Sequence, residues 1–266
     1  MAKTLYDYWF VQNADKNWER KPIREWILSE KSGDWGKENI EGNYTLKVSC
    51  IRGADIPGLN GQNELKSPIR FILEKNRSKI LSENDLIIEI SGGSPTQSTG
   101  RMAFITKETL NRFENPLICS NFCKAITLKS KENIFYFAYL WQHLYDNNLF
   151  FGYEGKTSGI KNLLFDNFVN SYYSVVPDKE IIKKFNSIIV PMQKQKQKLL
   201  LENYRLTQVR DWLLPMLMNG QVSVNYHLAA NQWKTKYHQI QLQPFFHILF
   251  DPINPLPLPK NVVVLL

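Results

Sequence analysis

Three leucines, Leu199, Leu206 and Leu213, recur every seven residues, and before them Ile181, Phe185, Ile188 and Met192 recur at intervals of three and four. Seven-residue spacing keeps one apolar edge along a helix, the pattern of a coiled-coil seam. The spacing predicts a helical segment across residues 178–219, in which Asp178 caps a first helix, Pro191 falls where a helix starts or bends, and Pro215 with Asn219-Gly220 ends a second. From Pro191 to Leu214, a rise of about 1.5 Å per residue makes a rod of roughly 36 Å. A rod of that length needs a partner, because an exposed seam is a large apolar patch. Lys194, Lys196 and Lys198 fall on the polar side, and the seam can pair within the chain or with another subunit.

The rest of the chain has a different pattern. In residues 1–20, Leu5, Tyr6, Tyr8, Trp9 and Phe10 form one apolar stripe at helical spacing, suited to packing against another helix. Residues 21–176 read as mixed α/β. Pro22 is placed to open a short helix running to Leu28, since the first helical residue needs no N–H. Short apolar or alternating runs at 44–51, 86–90, 102–105, 125–128 and 172–176, bounded by Gly, Asn and Pro, predict strands. Residues 133–147 predict a helix with Phe137, Leu140, Trp141, Leu144 and Tyr145 on the face that covers the sheet. The expected class is therefore α+β: a mixed α/β domain over 1–176, with 1–20 as a lead-in helix, then a helical region over 177–220. A tail over 221–266 is expected to be irregular, because Pro244, Pro252, Pro255, Pro257 and Pro259 forbid a long helix there.

Charge bears on the partner. Among 266 residues, 33 Lys and Arg oppose 25 Asp and Glu, leaving +8 with His neutral, which raises the expectation of a polyanion. Lys47, Arg52, Arg70, Arg101, Lys156 and Lys161 fall in or beside stretches rich in Gly, Ser, Thr and Asn. Cations hold phosphates, while Asn, Gln, Ser and Thr read base edges. The sequence has no run of about 18 uncharged apolar residues and no secretory pattern at the N-terminus. The expected location is the cytoplasm, with no membrane partner. Cys50, Cys119 and Cys123 are too few and too odd in number for a disulfide framework, so reduced thiols are expected.

Catalytic signatures fail one by one. Gly155-Lys156-Thr157 suggests a phosphate loop, but Phe150 stands where its first glycine belongs. His143, His227, His238 and His247 show no paired ligand spacing, and Cys119 and Cys123 lack two further ligands for zinc. Ser94 lacks the glycine of a nucleophile elbow, since Thr96 occupies that position. Asp146, Glu154 and Lys156 resemble a magnesium nuclease site, two carboxylates followed by a lysine, which leaves a nuclease as an alternative. The expected metal set is none.

Several stretches, taken in order, resemble one family. The tract Asp85-Leu-Ile-Ile-Glu-Ile-Ser-Gly-Gly-Ser-Pro-Thr-Gln-Ser-Thr-Gly-Arg101, the earlier Val48-Ser-Cys-Ile-Arg-Gly-Ala-Asp-Ile56 and the closing Gly159-Ile-Lys-Asn-Leu163 are similar to the target-recognition domain of the specificity subunit of type I restriction–modification systems. Ile189-Val-Pro-Met-Gln193 and Leu213-Leu-Pro-Met-Leu-Met-Asn-Gly-Gln221 resemble the two ends of that family's spacer helix. Thr4-Leu-Tyr-Asp-Tyr-Trp-Phe-Val-Gln12 resembles the junction preceding a recognition domain. The match covers residues 1–224; residues 225–266 match nothing in the family. Complete members carry two recognition domains and two spacers, so this chain resembles a half-length form.

The resemblance implies a non-catalytic subunit that reads one half of a bipartite site in double-stranded DNA. It implies docking of modification (methyltransferase) subunits and restriction subunits, which bring S-adenosylmethionine, ATP and magnesium; no cofactor is expected in this chain. A half-length form is expected to pair through Leu199, Leu206 and Leu213, as a homodimer or with another half-specificity subunit. The expected DNA contacts are Ser91, Gly92, Gly93, Ser94, Thr96, Gln97, Ser98, Thr99 and Arg101 in one loop, with Gln97 for base reading and Arg101 for a phosphate or guanine. Lys156, Thr157, Ser158 and Lys161 make a second strip, Tyr153 is a candidate for stacking, and Arg52 and Arg70 are further candidates. A helical scaffold that binds no DNA is the third reading.

Overall fold

β-branched and aromatic runs build the strands, and the computed structural model describes residues 2–62, 65–92, 96–157 and 160–221, with backbone alone at 156 and 157. Among them are twelve strands: β1 (Arg20–Pro22), β2 (Ile27–Ser32), β3 (Tyr44–Ile51), β4 (Ile69–Leu73), β5 (Asp85–Glu89), β6 (Ser91–Gly92), β7 (Met102–Phe104), β8 (Leu117–Cys119), β9 (Cys123–Leu128), β10 (Glu154–Thr157), β11 (Ile160–Leu163) and β12 (Tyr173–Val175). The α-helices are α1 (Ala2–Tyr6), α2 (Ile56–Leu59), α3 (Lys107–Leu110), α4 (Ile134–Asp146), α5 (Phe165–Ser171) and α6 (Lys179–Met218). The expected mixture of helices and sheets ending in a long helix is what the chain forms. No helix among the described residues is long and apolar enough to cross a membrane.

The chain divides into two compact units, Met1–Leu200 and Leu201–Leu266. In the first, the main sheet has the order β2-β9-β5-β7 and is antiparallel throughout. β5 is buried at every position, and its alternation sends Leu86 and Ile88 to one apolar cluster and Ile87 to another, as the two-residue period of a strand requires. A second sheet has the order β4-β3-β8, with β8 parallel to β3. β1 pairs with β12, and a small sheet has the order β10-β11-β6.

α4 covers the main sheet as its aromatic pattern predicts: Phe137, Leu140, Trp141 and Leu144 are buried, as are Ile134, Phe135, Tyr136 and Ala138. The N-terminal stripe also packs, with Tyr6 and Phe10 buried and the Phe10 ring edge-on to Phe185 at 5.1 Å between centroids. Tyr8, by contrast, faces solvent, and Asp7–Gln12 continues α1 as a π-helical turn.

Several expectations need correction. Pro22 opens no α-helix; it ends β1 in extended backbone, with a 3-10 turn at Ile23–Trp26 and then β2. The Ile23 N–H donates to the Tyr172 carbonyl at 3.0 Å, so pairing beside β12 outweighs the local helical preference. Lys47 and Arg70 lie in β3 and β4, not in loops.

α6 is one helix of 40 residues that runs through Pro191 and Pro215. The carbonyls deprived of a partner belong to Ser187 and Asp211, both exposed residues, so water can satisfy them. Within the first unit its buried stripe is Ile182, Phe185, Ile189, Gln193 and Gln197, whereas Ile188 is exposed. The stripe includes two polar residues: Gln193 donates through Nε2 to the Tyr139 hydroxyl at 2.6 Å, its Oε1 buried without a hydrogen-bond partner, and Gln197 accepts from Arg112 at 2.9 Å. In the second unit Leu206 is exposed and Leu213 buried. The helix closes with Gly220 at φ +66°, the Gln221 N–H donating to Met216 and the Gly220 N–H to Leu217, a double closure that favours glycine at this left-handed position. Of the tail expected over 221–266, residues 222–266 lie outside the described residues.

All three cysteines are free and buried. Burial pushes the Cys50 and Cys119 thiols up to about 12 and raises Cys123 further. Alkylation needs the thiolate, so the native chain is expected to resist iodoacetamide at mildly alkaline pH and to take up three labels after unfolding in guanidinium. Labelling of the native chain, read by mass spectrometry, contradicts this packing.

Candidate nucleic-acid interface

The small sheet grows out of the main one at Ile90. β5 ends at Glu89, paired with Cys123 of β9; the next two amides, of Ile90 and Ser91, both donate to the Phe122 carbonyl, at 2.9 and 3.1 Å. The chain then leaves the main sheet as β6, where Ser91 pairs with Asn162 and Gly92 with Lys161 of β11. The Ser91 hydroxyl donates to Asn162 Oδ1 at 2.6 Å.

The loop after β6 returns to the same residue it left. Gly100 N–H donates to the Glu89 carbonyl at 3.0 Å, and Glu89 N–H to the Arg101 carbonyl at 2.9 Å. Gly100 sits at φ +100°, and a Cβ there would lie 2.8 Å from the Phe150 ring, so only glycine fits. Trp141 Nε1 donates to the Gly100 carbonyl at 2.7 Å. Thr99, buried, donates to Glu154 Oε1 through its amide at 2.7 Å and its hydroxyl at 3.0 Å. The Tyr145 hydroxyl accepts from Gln97 Nε2 at 3.2 Å and donates to the carbonyl of Ser98, itself buried, at 3.4 Å. Thr96 and Gln97 are exposed.

Two ion pairs fix the electrostatics. Arg101 grips Glu89 with both ends of its fork, Nε to Oε2 at 2.8 Å and Nη2 to Oε1 at 2.6 Å. The Glu89 side chain is 5% exposed and that of Arg101 21%. The hydrogen bonds to Glu89 hold the Arg101 guanidinium above its ordinary pKa. Lys161 Nζ lies 3.3 Å from Glu154 Oε2, donates to the Gln97 carbonyl at 3.4 Å and sits 4.6 Å over the Phe151 ring. A Cβ on Gly53 would come 2.4 Å from Glu89 Oε1, and one on Gly92 3.3 Å; the neighbour of Gly53 is Arg52, which is bound to Asp55 at 2.8 Å and held above its ordinary pKa by that bond.

The structure thus gathers Arg52, Ser91, Gly92, Gln97, Ser98, Thr99, Arg101 and Lys161 around the end of β5. Gly93, Ser94 and Ser158 lie outside the described residues, as do the side chains of Lys156 and Thr157. Two expected contacts are placed elsewhere. Arg70 is buried in the second sheet, stacked 3.9 Å over Trp35 and paired with Glu38 at 3.0 Å. Tyr153 turns inward, its ring edge-on to Phe168 at 5.1 Å and its hydroxyl accepting from Ser171. The carboxylates of the nuclease alternative serve other groups: Asp146 takes Gln142 and Lys3, and Glu154 takes Thr99 and Lys161. Among the described residues no group of three His, Cys, Asp or Glu is placed to hold a metal.

Sequence reading passed over Glu89, Trp141 and Tyr145 as parts of a strand and a core helix, although a Glu ending an apolar strand is a signal of a buried ion pair. No family model and no curated protein matches this chain. Among solved structures it is similar to the type I restriction–modification S subunit from M. genitalium, with a TM-score of 0.47 and 13% identity over 76% of this chain and 46% of that one. It is similar to a chain of a type I R-M system solved for its complex assembly and conformational transition (TM-score 0.44, 14% identity, 81% and 51% covered). A third is the HsdS subunit from Thermoanaerobacter tengcongensis (0.41, 15%, 81% and 49%). The chain spans about half the length of these structures.

Removing one member of the Glu89–Arg101 pair leaves a buried charge alone. Arg101→Ala is expected to cost about 3–5 kcal/mol in urea denaturation, and the double replacement Glu89→Leu, Arg101→Leu markedly less. Equal losses would contradict the pairing.

Proposed function

We propose that this chain is the DNA-reading subunit of a type I restriction–modification complex, without catalysis of its own. The observation that carries the reading is the strip made by residues 96–101, β6 and β11. There the exposed Gln97 carboxamide is held by Tyr145, beside Lys161 and the Ser91–Asn162 pair. A carboxamide offers one donor and one acceptor, the complement of an adenine edge in the major groove. Lys161 and Arg52 are the cations at the margins, each already paired with a carboxylate of the chain, Glu154 and Asp55, so a phosphate would share them with that partner. The order of motifs along residues 1–224, which resembles that of specificity subunits, supports the same reading.

In this account the recognition domain reads one half of a bipartite site in double-stranded DNA. α6 acts as the spacer and docks modification subunits, which bring S-adenosylmethionine, while restriction subunits add ATP- and magnesium-dependent steps. The exposed Leu199 and Leu206 are the seam positions open to a second copy or another half-specificity subunit, whereas Leu213 is already buried within the chain. A two-fold pair of this kind imposes two-fold symmetry on the DNA it reads.

Binding of a labelled random-sequence duplex, measured across a salt series, tests the reading. Phosphate contacts give a log-log slope of about −0.9 per contact, and Lys161→Ala is expected to make it shallower by about one. Absent or salt-insensitive binding overturns the proposal in favour of a scaffold.

A further inference from the structure

The turn between β8 and β9 presents a large ring to solvent. Ser120 and Cys123 are buried, and the turn is closed by the Cys123 N–H donating to the Ser120 carbonyl at 2.9 Å. Asn121 is exposed, and Phe122 is 54% exposed. No other ring packs on Phe122 among the described residues. More than half of the Phe122 surface faces solvent, while its carbonyl accepts two amide hydrogen bonds, so the ring stands exposed on a fixed main chain.

Two anchors of this turn lead to the strip described above. The Phe122 carbonyl takes both the Ile90 and Ser91 amides, and the Ser120 N–H donates to the Ile51 carbonyl at 2.8 Å, one residue before Arg52. Ser120 is also clasped from behind: a Cβ on Gly33 would lie 1.9 Å from its carbonyl oxygen, so only glycine permits the approach. The turn therefore stands between Arg52 on one side and Ser91-Gly92 on the other, rigid in its main chain and apolar at its tip. Phe151, the other exposed ring near the small sheet, differs in being covered by Lys161.

We propose that Phe122 is a further specificity-determining residue, whose ring makes an apolar contact with a base step, partly unstacking it, while the strip beside it reads base edges. Apolar wedges of this kind exploit steps that unstack at low cost, which makes the contact sequence-dependent without hydrogen bonding. The inference rests on the nucleic-acid reading of the neighbouring strip.

The test uses the full chain and two DNA probes: a random-sequence duplex pool, and the same pool after rounds of selection by the wild-type chain. Phe122→Ala is expected to lower the ratio of affinities for selected over unselected duplex by about tenfold, the worth of one base-pair preference. Its salt slope, which counts phosphate contacts, and its thermal midpoint are expected to match wild type, and Phe122→Trp to restore the ratio. An unchanged ratio in Phe122→Ala overturns the proposal; if the same variant loses capture of a modification subunit with the ratio intact, the ring belongs to a protein contact instead. Absence of any salt-dependent duplex binding by the wild-type chain defeats the underlying reading and this inference together, and is distinguished by appearing before any substitution is made.

Discussion

The buried pair of Glu89 and Arg101 closes the structure around which the candidate interface is arranged. Glu89 is the last residue of a strand buried at every position, and its main chain bonds to both Gly100 and Arg101 while its carboxylate takes the guanidinium. A carboxylate this deep is tolerated only with a matched cation, so the loop must come back to the strand end that it left. Return at Gly100 then places Thr99 on Glu154, Ser98 and Gln97 on Tyr145, and Lys161 under Gln97. The polar strip is thus a consequence of one desolvated ion pair and one glycine that tolerates φ +100°.

A second constraint holds the start of α6. Phe185 is fully buried among Phe10, Tyr6 and Tyr139, and the helix face that follows buries two glutamines instead of more leucines. Gln193 and Gln197 satisfy Tyr139 and Arg112, and such polar positions fix one register where an all-apolar stripe would allow several. The direction of the helix at the first unit is therefore set by hydrogen bonds as well as by area.

Much of this was legible in the residues. The strand at 44–51, the aromatic helix near 133–147 and the helical character of 178–219 follow from periodicity, and the lead-in aromatics from helical spacing; that the helix runs unbroken through Pro191 does not. β1, β2, β4, β6, β8, β10 and β11 were hidden because they are short or carry charges or glycine where an apolar alternation is expected; β1 and β6 are defined by partners distant in sequence, β12 and β11, and β10 by its hairpin with β11. The stripe on α6 was misassigned by about one position because Gln193 and Gln197 look like surface residues until Tyr139 and Arg112 are known. At the site, Gln97, Arg101 and Lys161 stood out by type, but which charges are matched depends on Glu89 and Glu154. Arg70 stood out equally and is consumed by Trp35 and Glu38 inside the second sheet.

Hydrogen exchange of the intact chain, with and without saturating duplex DNA, tests the central claim most directly. The account predicts slowed exchange in peptides covering residues 96–101, 120–123 and 160–163, with Gln97 and Phe122 at the centre of the protected surface, and little change at β4 around Arg70. Protection confined to α6, or equal everywhere, would contradict it.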